Sequence, residues 1–382
     1  MAYDDFDRLI GEVKPVYETP NSANNLFRGR KIVLYGAGDG LGTFETFVLS
    51  RYALRAEVIL DIKFQTPTTV CGIPACSPHG FSPSRELMEQ GIVVITVGKR
   101  EYHPKILATL KELGFRNIFF PWDVYEYHLP ILTQDKKEFE HNYYAQNRDQ
   151  IQAAYNLMAD EESKTVFNAF LRTHLTRQHV YIPNRPLHEQ YFPLDIPLTR
   201  GKRRMINCGS YIGDTIIKAY SLFKIETLVC FEPDPDNFLT LHNNVETQCP
   251  GLSGKVIFFP CGVYSSEVQL RFHGGKKSNS MVASDGNMII QCVSLDHALP
   301  HFGATFITMD IEGSESEAVR GAQSLICESN PDLAICVYHS PSHIWEIPLF
   351  IHSLKTGYIF YLRNYTSFTS ETVLYASPVA DQ

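Results

Sequence analysis

Two glycines and a carboxylate, held at fixed spacing, carry the clearest chemistry in this 382-residue sequence. In Arg204-Met-Ile-Asn-Cys-Gly-Ser-Tyr-Ile-Gly-Asp-Thr-Ile-Ile217, Met205 to Cys208 reads as a short buried strand, Gly209 to Gly213 as a tight turn, and Asp214 onward as a helix start. The next apolar run, Leu228-Val-Cys-Phe-Glu232, ends in an acid. Gly209 and Gly213 lack Cβ, so the backbone turns tightly and a ligand can come close. The free N–H groups of the following helix favour an anion. Glu232 falls where a carboxylate accepts both hydroxyls of a ribose. The pattern describes a nucleoside pocket that serves dinucleotides and S-adenosylmethionine alike, so the choice rests on the elements around it.

Those elements form an α/β series from about Arg200 onward. Lys255-Val-Ile-Phe-Phe-Pro-Cys261 supplies a third strand, Thr305-Phe-Ile-Thr-Met-Asp310 a fourth and Leu333-Ala-Ile-Cys-Val-Tyr338 a fifth. Val268–Phe272 and Met288–Val293 read as an inserted pair around the polar loop His273–Asn287. Tyr358–Leu362 and Glu371–Ala376 are too close together for a crossover helix, and a short connection joins antiparallel neighbours. A dehydrogenase fold would continue with parallel βαβ units. Five parallel strands finished by an antiparallel hairpin are the architecture of class I methyltransferases.

The N-terminal third repeats the first part of that logic. Lys31–Tyr35 reads as a strand, Gly36-Ala-Gly-Asp-Gly-Leu-Gly42 as a glycine turn, Thr43–Ala53 as helix, and Glu57–Asp61 as a second strand ending in an acid. Ile92–Thr96 and Asn117–Phe120, with a crossover helix over Pro104–Leu113, complete a Rossmann-like parallel sheet. The third fingerprint glycine is replaced by Leu41, so a nucleotide or nucleotide-sugar at Gly36–Gly42 and Asp61 stands level with a fold kept for packing. The order around Cys71-Gly-Ile-Pro-Ala-Cys-Ser-Pro78 resembles the nucleotide-sugar-binding N-terminal domain of sugar acyltransferases. Helical spacing of Ile151, Ala154, Tyr155 and Met158 marks a connector. The expected division is an arm over 1–29, the Rossmann-like domain over 30–127, the connector over 128–199 and the catalytic domain over 200–382. Four prolines between Tyr181 and Pro197 give an irregular segment that can cover the pocket.

Composition bounds the partners. The chain is 44% apolar with a net charge of −8, so no field favours nucleic acid or anionic membrane. No window is apolar for long enough to span a bilayer, and the acidic start lacks a signal-peptide layout. Nine cysteines without a CxxC pair read as buried, reduced thiols of a cytoplasmic protein.

Taken together, these runs resemble the FkbM-type S-adenosylmethionine-dependent methyltransferases. The matching pieces are Asn207–Thr215, Cys230-Phe-Glu-Pro-Asp-Pro235, Cys261-Gly-Val263, Val293-Ser-Leu-Asp296, and Met309-Asp-Ile-Glu-Gly-Ser-Glu315 with Arg320-Gly-Ala322. The resemblance covers about Ala153 to Ala376. It departs from the family at Asn207, Thr308 and Cys261, where Asp, Lys and Ala are usual. It implies S-adenosylmethionine as cofactor. Asn207 and the turn Gly209, Ser210, Tyr211 and Gly213 would take its methionine end, Glu232 its ribose, and Pro233, Cys261 and Gly262 its adenine. It also implies transfer of a methyl group to a sugar or polyol hydroxyl. The rival readings are a nucleotide or nucleotide-sugar binding protein, or an NAD-dependent oxidoreductase working at the Gly36 turn.

Such a transfer needs in-line positioning and a group to take the hydroxyl proton. Asp310 is the first candidate, as base or as metal ligand, and His339 the second, with Glu312 beside them. A divalent metal on Asp310 and Glu312 would orient a diol, although no spacing demands it. His339 and His343 would make a zinc pair only on a helix, which Pro341 disfavours at Ser340. Glu315 and Glu317 read as acids favoured by a helix N-terminus. The glycine-hinged loop His273-Gly-Gly-Lys-Lys-Ser-Asn-Ser280 is a solvated loop by composition, or a flap for an anionic or polyhydroxylated acceptor.

Overall fold

Continuous buried apolar runs, too short for helices, set the framework of both halves of the chain. The computed structural model describes residues 23–98, 102–121, 124, 143–176, 182–275, 281–282, 285–366 and 369–379. Most of the expected N-terminal arm and the lysines of the 273–280 loop lie outside these residues. The chain divides into two units, Ala2–Gln146 with Arg172–His179, and Asn147–Leu171 with Val180–Gln382. Among the described residues no helix is long and apolar enough to cross a membrane.

In the first unit, helix α1 (Ala23–Phe27) precedes strand β1 (Ile32–Tyr35), helix α2 (Asp39–Phe44) and strand β2 (Ala56–Leu60). Strands β3 (Thr68–Val70) and β4 (Ile73–Cys76), helix α3 (Arg85–Gln90), strand β5 (Ile92–Ile95), helix α4 (His103–Glu112) and strand β6 (Asn117–Phe119) follow. The sheet order is β3-β4-β2-β1-β5-β6, parallel except for β3. Both faces are covered, which is why the strands read as unbroken apolar runs. Ile32, Leu34 and Ile59 pack against Phe27, Phe44 and Val48. On the other face Val33, Leu60 and Val93 meet Leu87, Ile106 and Leu110.

Two features depart from the sequence reading. The first helix starts at Asp39 rather than Thr43 and continues as a π-turn over Glu45–Leu49. The β3–β4 hairpin was hidden because its strands are short and half exposed. Its two-residue loop, Cys71-Gly72, has φ of 52° and 74°, the left-handed pair a tight hairpin requires.

The second unit begins with helices α5 (Arg148–Asn156) and α6 (Glu161–Thr176), the latter belonging to it as far as Leu171. Its main sheet contains β7 (Arg204–Cys208), β8 (Thr227–Phe231), β9 (Val256–Phe259), β14 (Phe306–Met309), β15 (Asp332–Cys336), β16 (Tyr358–Asn364) and β17 (Thr372–Pro378). The order is β16-β17-β15-β14-β7-β8-β9, and β17 alone runs antiparallel to its neighbours. This is the parallel sheet with a terminal hairpin that the spacing predicts. Helix α7 (Asp214–Leu222) follows β7, and α8 (Pro235–Gln248) follows β8. Pro235 suits the first turn of α8 because its missing N–H would be unpaired there. The Asp234 carboxylate caps that turn by accepting from the amides of Asp236 and Asn237.

The inserted pair, β11 (Val268–His273) and β13 (Met288–Val293), is antiparallel as expected. It is extended into a four-stranded sheet by β10 (Gly262–Val263) and β12 (Met281–Val282). Because β10 pairs with β13, the Cys261-Gly262 turn is tied to the insert. All nine cysteines are free thiols, and Cys208, Cys230, Cys261 and Cys336 are buried.

Candidate functional site

The crests of β7, β8 and β14 assemble the site in the second unit. After β7, the amides of Gly209 and Ser210 both donate to the Phe231 carbonyl, at 3.0 and 2.9 Å. Gly209 adopts φ +79°, and a Cβ there would lie 1.9 Å from the Asp310 carbonyl oxygen. Glycine is therefore required where the β7 turn crosses the end of β14. The next amide, from Tyr211, donates to Glu232 Oε2 at 2.7 Å, and the Asp234 amide donates to Oε1 at 3.0 Å. Glu232 is 5% exposed. Burial pushes its carboxyl up to about 7, against the pull of the Asp234 and Tyr211 amides.

Glu232 lines a narrow cavity with Tyr211, Phe231, Pro233, Cys261 and Gly262, closed by apolar residues of the small sheet such as Phe272 and Ile290. The sequence-predicted adenosine residues thus converge on one place. Ser210 and Gly213 shape the turn: Ser210 Oγ donates to the Asn207 carbonyl at 3.1 Å, and the Gly213 amide to the Ser210 carbonyl at 2.8 Å.

A second cavity, of about 690 Å³, adjoins the first and shares Gly209, Tyr211, Asp310 and Glu312 with it. Its floor holds two departures from the family pattern, and they pair with each other. Asn207 and Thr308 are register partners on β7 and β14, and Asn207 Nδ2 donates to Thr308 Oγ1 at 2.7 Å. A neutral hydrogen bond occupies the place of the usual Asp and Lys. Asn207 Oδ1 is buried and accepts no hydrogen bond within the protein. The irregular 181–197 segment supplies one wall through Leu187, His188, Gln190 and Tyr191.

The acidic turn after β14 forms the other wall. Asp310 Oδ2 accepts from Tyr191 Oη at 2.6 Å, and Oδ1 from Tyr338 Oη at 3.4 Å. Glu312 sits at φ +53°, a left-handed conformation uncommon outside glycine and typical of constrained functional turns. Burial pushes its carboxyl up to about 7, with Asp310 and Glu315 adding to the rise and His339 opposing it.

Glu315 is fully buried. Its Oε1 accepts from the Ile311 amide at 2.9 Å and from His339 Nδ1 at 2.8 Å, while Oε2 accepts from the Gly313 amide at 3.1 Å and lies 3.2 Å from His343 Nδ1. Burial alone would raise this carboxyl, but the two histidines hold it well below the usual carboxylate range. His339 Nε2 lies 3.5 Å from both Asp310 Oδ1 and Glu312 Oε2. Burial lowers the imidazole, yet Glu315, Asp310 and Glu312 outweigh it and push it up to about 10. His339 and His343 do converge, but on the Glu315 carboxylate; His343 opens helix α9 (His343–Ser353) while His339 precedes it.

Tyr191, Tyr338 and Glu371 all line the larger cavity, and no sequence pattern singles them out. Tyr191 lies 119 positions from Asp310, and only the folded chain brings them together. Glu315 carried a readable signal, an acid within Asp-x-Glu-Gly-x-Glu, but a helix-start acid explained it equally well.

In the first unit, the acid at the end of β2 is engaged by the glycine turn after β1 and by its own turn. Asp61 Oδ2 accepts from the Ala37 amide at 2.8 Å and Oδ1 from the Lys63 amide at 3.0 Å. A Cβ on Gly40 would lie 2.2 Å from the Thr96 carbonyl oxygen, so that glycine serves the packing of α2 on the end of β5.

Residues 207–364 match the family model of the methyltransferase FkbM domain. The chain resembles the crystal structure of methyltransferase FkbM from Methylobacillus flagellatus KT, with a TM-score of 0.73, 22% identity and 98% of each chain covered. A partial likeness reaches Aeropyrum pernix fibrillarin with bound S-adenosyl-L-methionine, at TM-score 0.30 and 9% identity over 48% of this chain and 69% of that one. Another reaches a putative O-methyltransferase from Klebsiella pneumoniae, at TM-score 0.31 and 13% identity over 62% and 97%. No curated protein matches. The domain match and the shared fold agree with the geometry: the chain carries an FkbM methyltransferase domain, that of an S-adenosylmethionine-dependent methyltransferase.

Proposed function

We propose that the second unit transfers a methyl group from S-adenosylmethionine to a hydroxyl of a sugar or other polyol. The supporting observation is that an apolar slot beside a ribose-type carboxylate opens, at Gly209, Tyr211, Asp310 and Glu312, into a larger polar cavity. A nucleoside in the slot therefore presents its 5′ substituent to the acidic turn. When bound, the cofactor supplies an electrophilic methyl group on a positively charged sulfur.

The residues present fit that group. Glu232 accepts from the ribose hydroxyls, Pro233, Cys261 and Gly262 border the base, and the open Asn207 Oδ1 accepts from the methionine ammonium. Asp310, at the junction of the cavities, meets the acceptor hydroxyl and draws its proton, with Tyr191 and Tyr338 fixing the carboxylate. His339, held by Glu315, faces Asp310 and Glu312 and sets their position. Most of the rate gain in such a site comes from alignment.

Isothermal titration of the full chain with S-adenosylhomocysteine tests the reading. Binding that Glu232→Ala abolishes is the expected result. Binding of NADH in place of S-adenosylhomocysteine would overturn it, and retained affinity in Glu232→Ala would remove that residue from the site.

A further inference from the structure

Among the described residues, Asp310, Glu312 and His339 bring three metal-ligating atoms within 4.8 Å of one another. The imidazole is the informative member. His339 has 9% of its side chain exposed. Its Nδ1 donates to the buried Glu315 carboxylate at 2.8 Å, while Nε2 is buried and makes no hydrogen bond. That nitrogen points between two carboxylate oxygens, at 3.5 Å from each. A carboxylate that anchors one ring nitrogen fixes the ring and aims the other, the usual arrangement behind a metal-bound histidine, and a cation bound there takes the place of the Nε2 proton.

We propose that Asp310, Glu312 and His339 form a binding site for a divalent cation of the Mg²⁺/Mn²⁺ class, with Glu315 as its positioning residue. Octahedral coordination at roughly 2.1 Å sets neighbouring ligand atoms about 3 Å apart, and the two spacings from His339 Nε2 already stand at 3.5 Å. Two carboxylates select a hard cation, and one imidazole is compatible with Mn²⁺ in particular. Three protein donors leave three positions open. Asp310 and Glu312 both line the larger cavity, so those positions face the acceptor. The site therefore selects acceptors carrying two adjacent oxygens, such as a vicinal diol, which chelate the cation. This rests on the methyltransferase reading for the acceptor, and not for the cation itself.

The test is titration of the EDTA-treated full chain with Mn²⁺, followed by electron paramagnetic resonance, with S-adenosylhomocysteine affinity measured separately. The expected result is one Mn²⁺ per chain, weakened about 10- to 100-fold by Glu315→Gln and at least as much by Glu312→Gln. Absence of Mn²⁺ binding at millimolar concentration overturns the proposal, as does binding that Glu312→Gln and His339→Gln both leave unaltered. If Glu315→Gln does not fold, Glu312→Gln decides. Mn²⁺ bound by a chain that does not bind S-adenosylhomocysteine would uphold the cation site and remove the methyl-transfer reading.

Discussion

Glu315→Gln separates two accounts of the same residue by magnitude. As a helix-start acid, Glu315 would contribute about 0.3–1 kcal/mol through the dipole. The structure gives it a different task. One buried carboxylate takes the Ile311 and Gly313 amides at 2.9 and 3.1 Å and faces His339 and His343 at 2.8 and 3.2 Å. An amide in its place has one acceptor oxygen and no charge, so at least one buried donor loses its partner and His339 loses its counter-charge. Removing one partner of a buried ion pair costs about 3–5 kcal/mol. For a unit of this size each kcal/mol moves the midpoint by about 2–4 °C. The retained oxygen keeps the loss near the lower bound, about 3 kcal/mol, which corresponds to about 6–12 °C. Differential scanning calorimetry of the full chain, with Glu317→Gln as the control, reads this directly. Glu317 is partly exposed and pairs with Ser265 Oγ and Arg320, so its change should stay within about 1 kcal/mol. A Glu315→Gln shift no larger than that of Glu317→Gln would refute the buried-anchor account.

Three further outcomes follow from the site. The Glu232 carboxyl titrates near 7, above its ordinary 4.5; the stability this confers on the cofactor-free protein is full below about 4.5 and lost as pH rises through about 7. Ribose hydroxyls favour the ionised form, so S-adenosylhomocysteine affinity should fall about tenfold per unit as pH drops below about 7, and Glu232→Gln should remove that component in titrations across pH. Gly209→Ala should destabilise far more than Gly201→Ala in urea unfolding. Both have positive φ, but a Cβ at Gly201 meets nothing within 4 Å whereas at Gly209 it meets a carbonyl oxygen at 1.9 Å; the Gly201 change should cost about 1–2 kcal/mol, and equal costs would contradict the crossing of β7 and β14. Asn207→Ala should weaken S-adenosylhomocysteine about 10- to 100-fold, the worth of a hydrogen bond to a charged group, while leaving adenosine affinity unchanged; an equal loss for adenosine would place Asn207 elsewhere.

The sheet of the second unit was legible because each strand is a short apolar run ended by a turn residue or an acid, and the terminal hairpin followed from loop length alone. The residues lining the slot were legible for a similar reason: Gly209 follows β7 and Glu232 and Pro233 follow β8, and neighbouring strand ends of one sheet meet. What stayed hidden depends on register and on long-range closure. The Asn207–Thr308 bond needs β7 beside β14 in one particular register. Tyr191 reaches Asp310 from a proline-rich segment without any periodic pattern. The β3–β4 hairpin has two short strands with few apolar residues, and its turn was visible only as Cys71-Gly72.

The position of β17 has a consequence for biosynthesis. It lies between β15 and β16, both of which leave the ribosome before it does. Until residues 372–378 emerge, the nascent chain holds two bare strand edges, Asp332–Cys336 and Tyr358–Asn364, with nothing to join them. The interval between emergence of residues 358–364 and emergence of residues 372–378 is therefore when a chaperone or a neighbouring nascent chain competes for the gap.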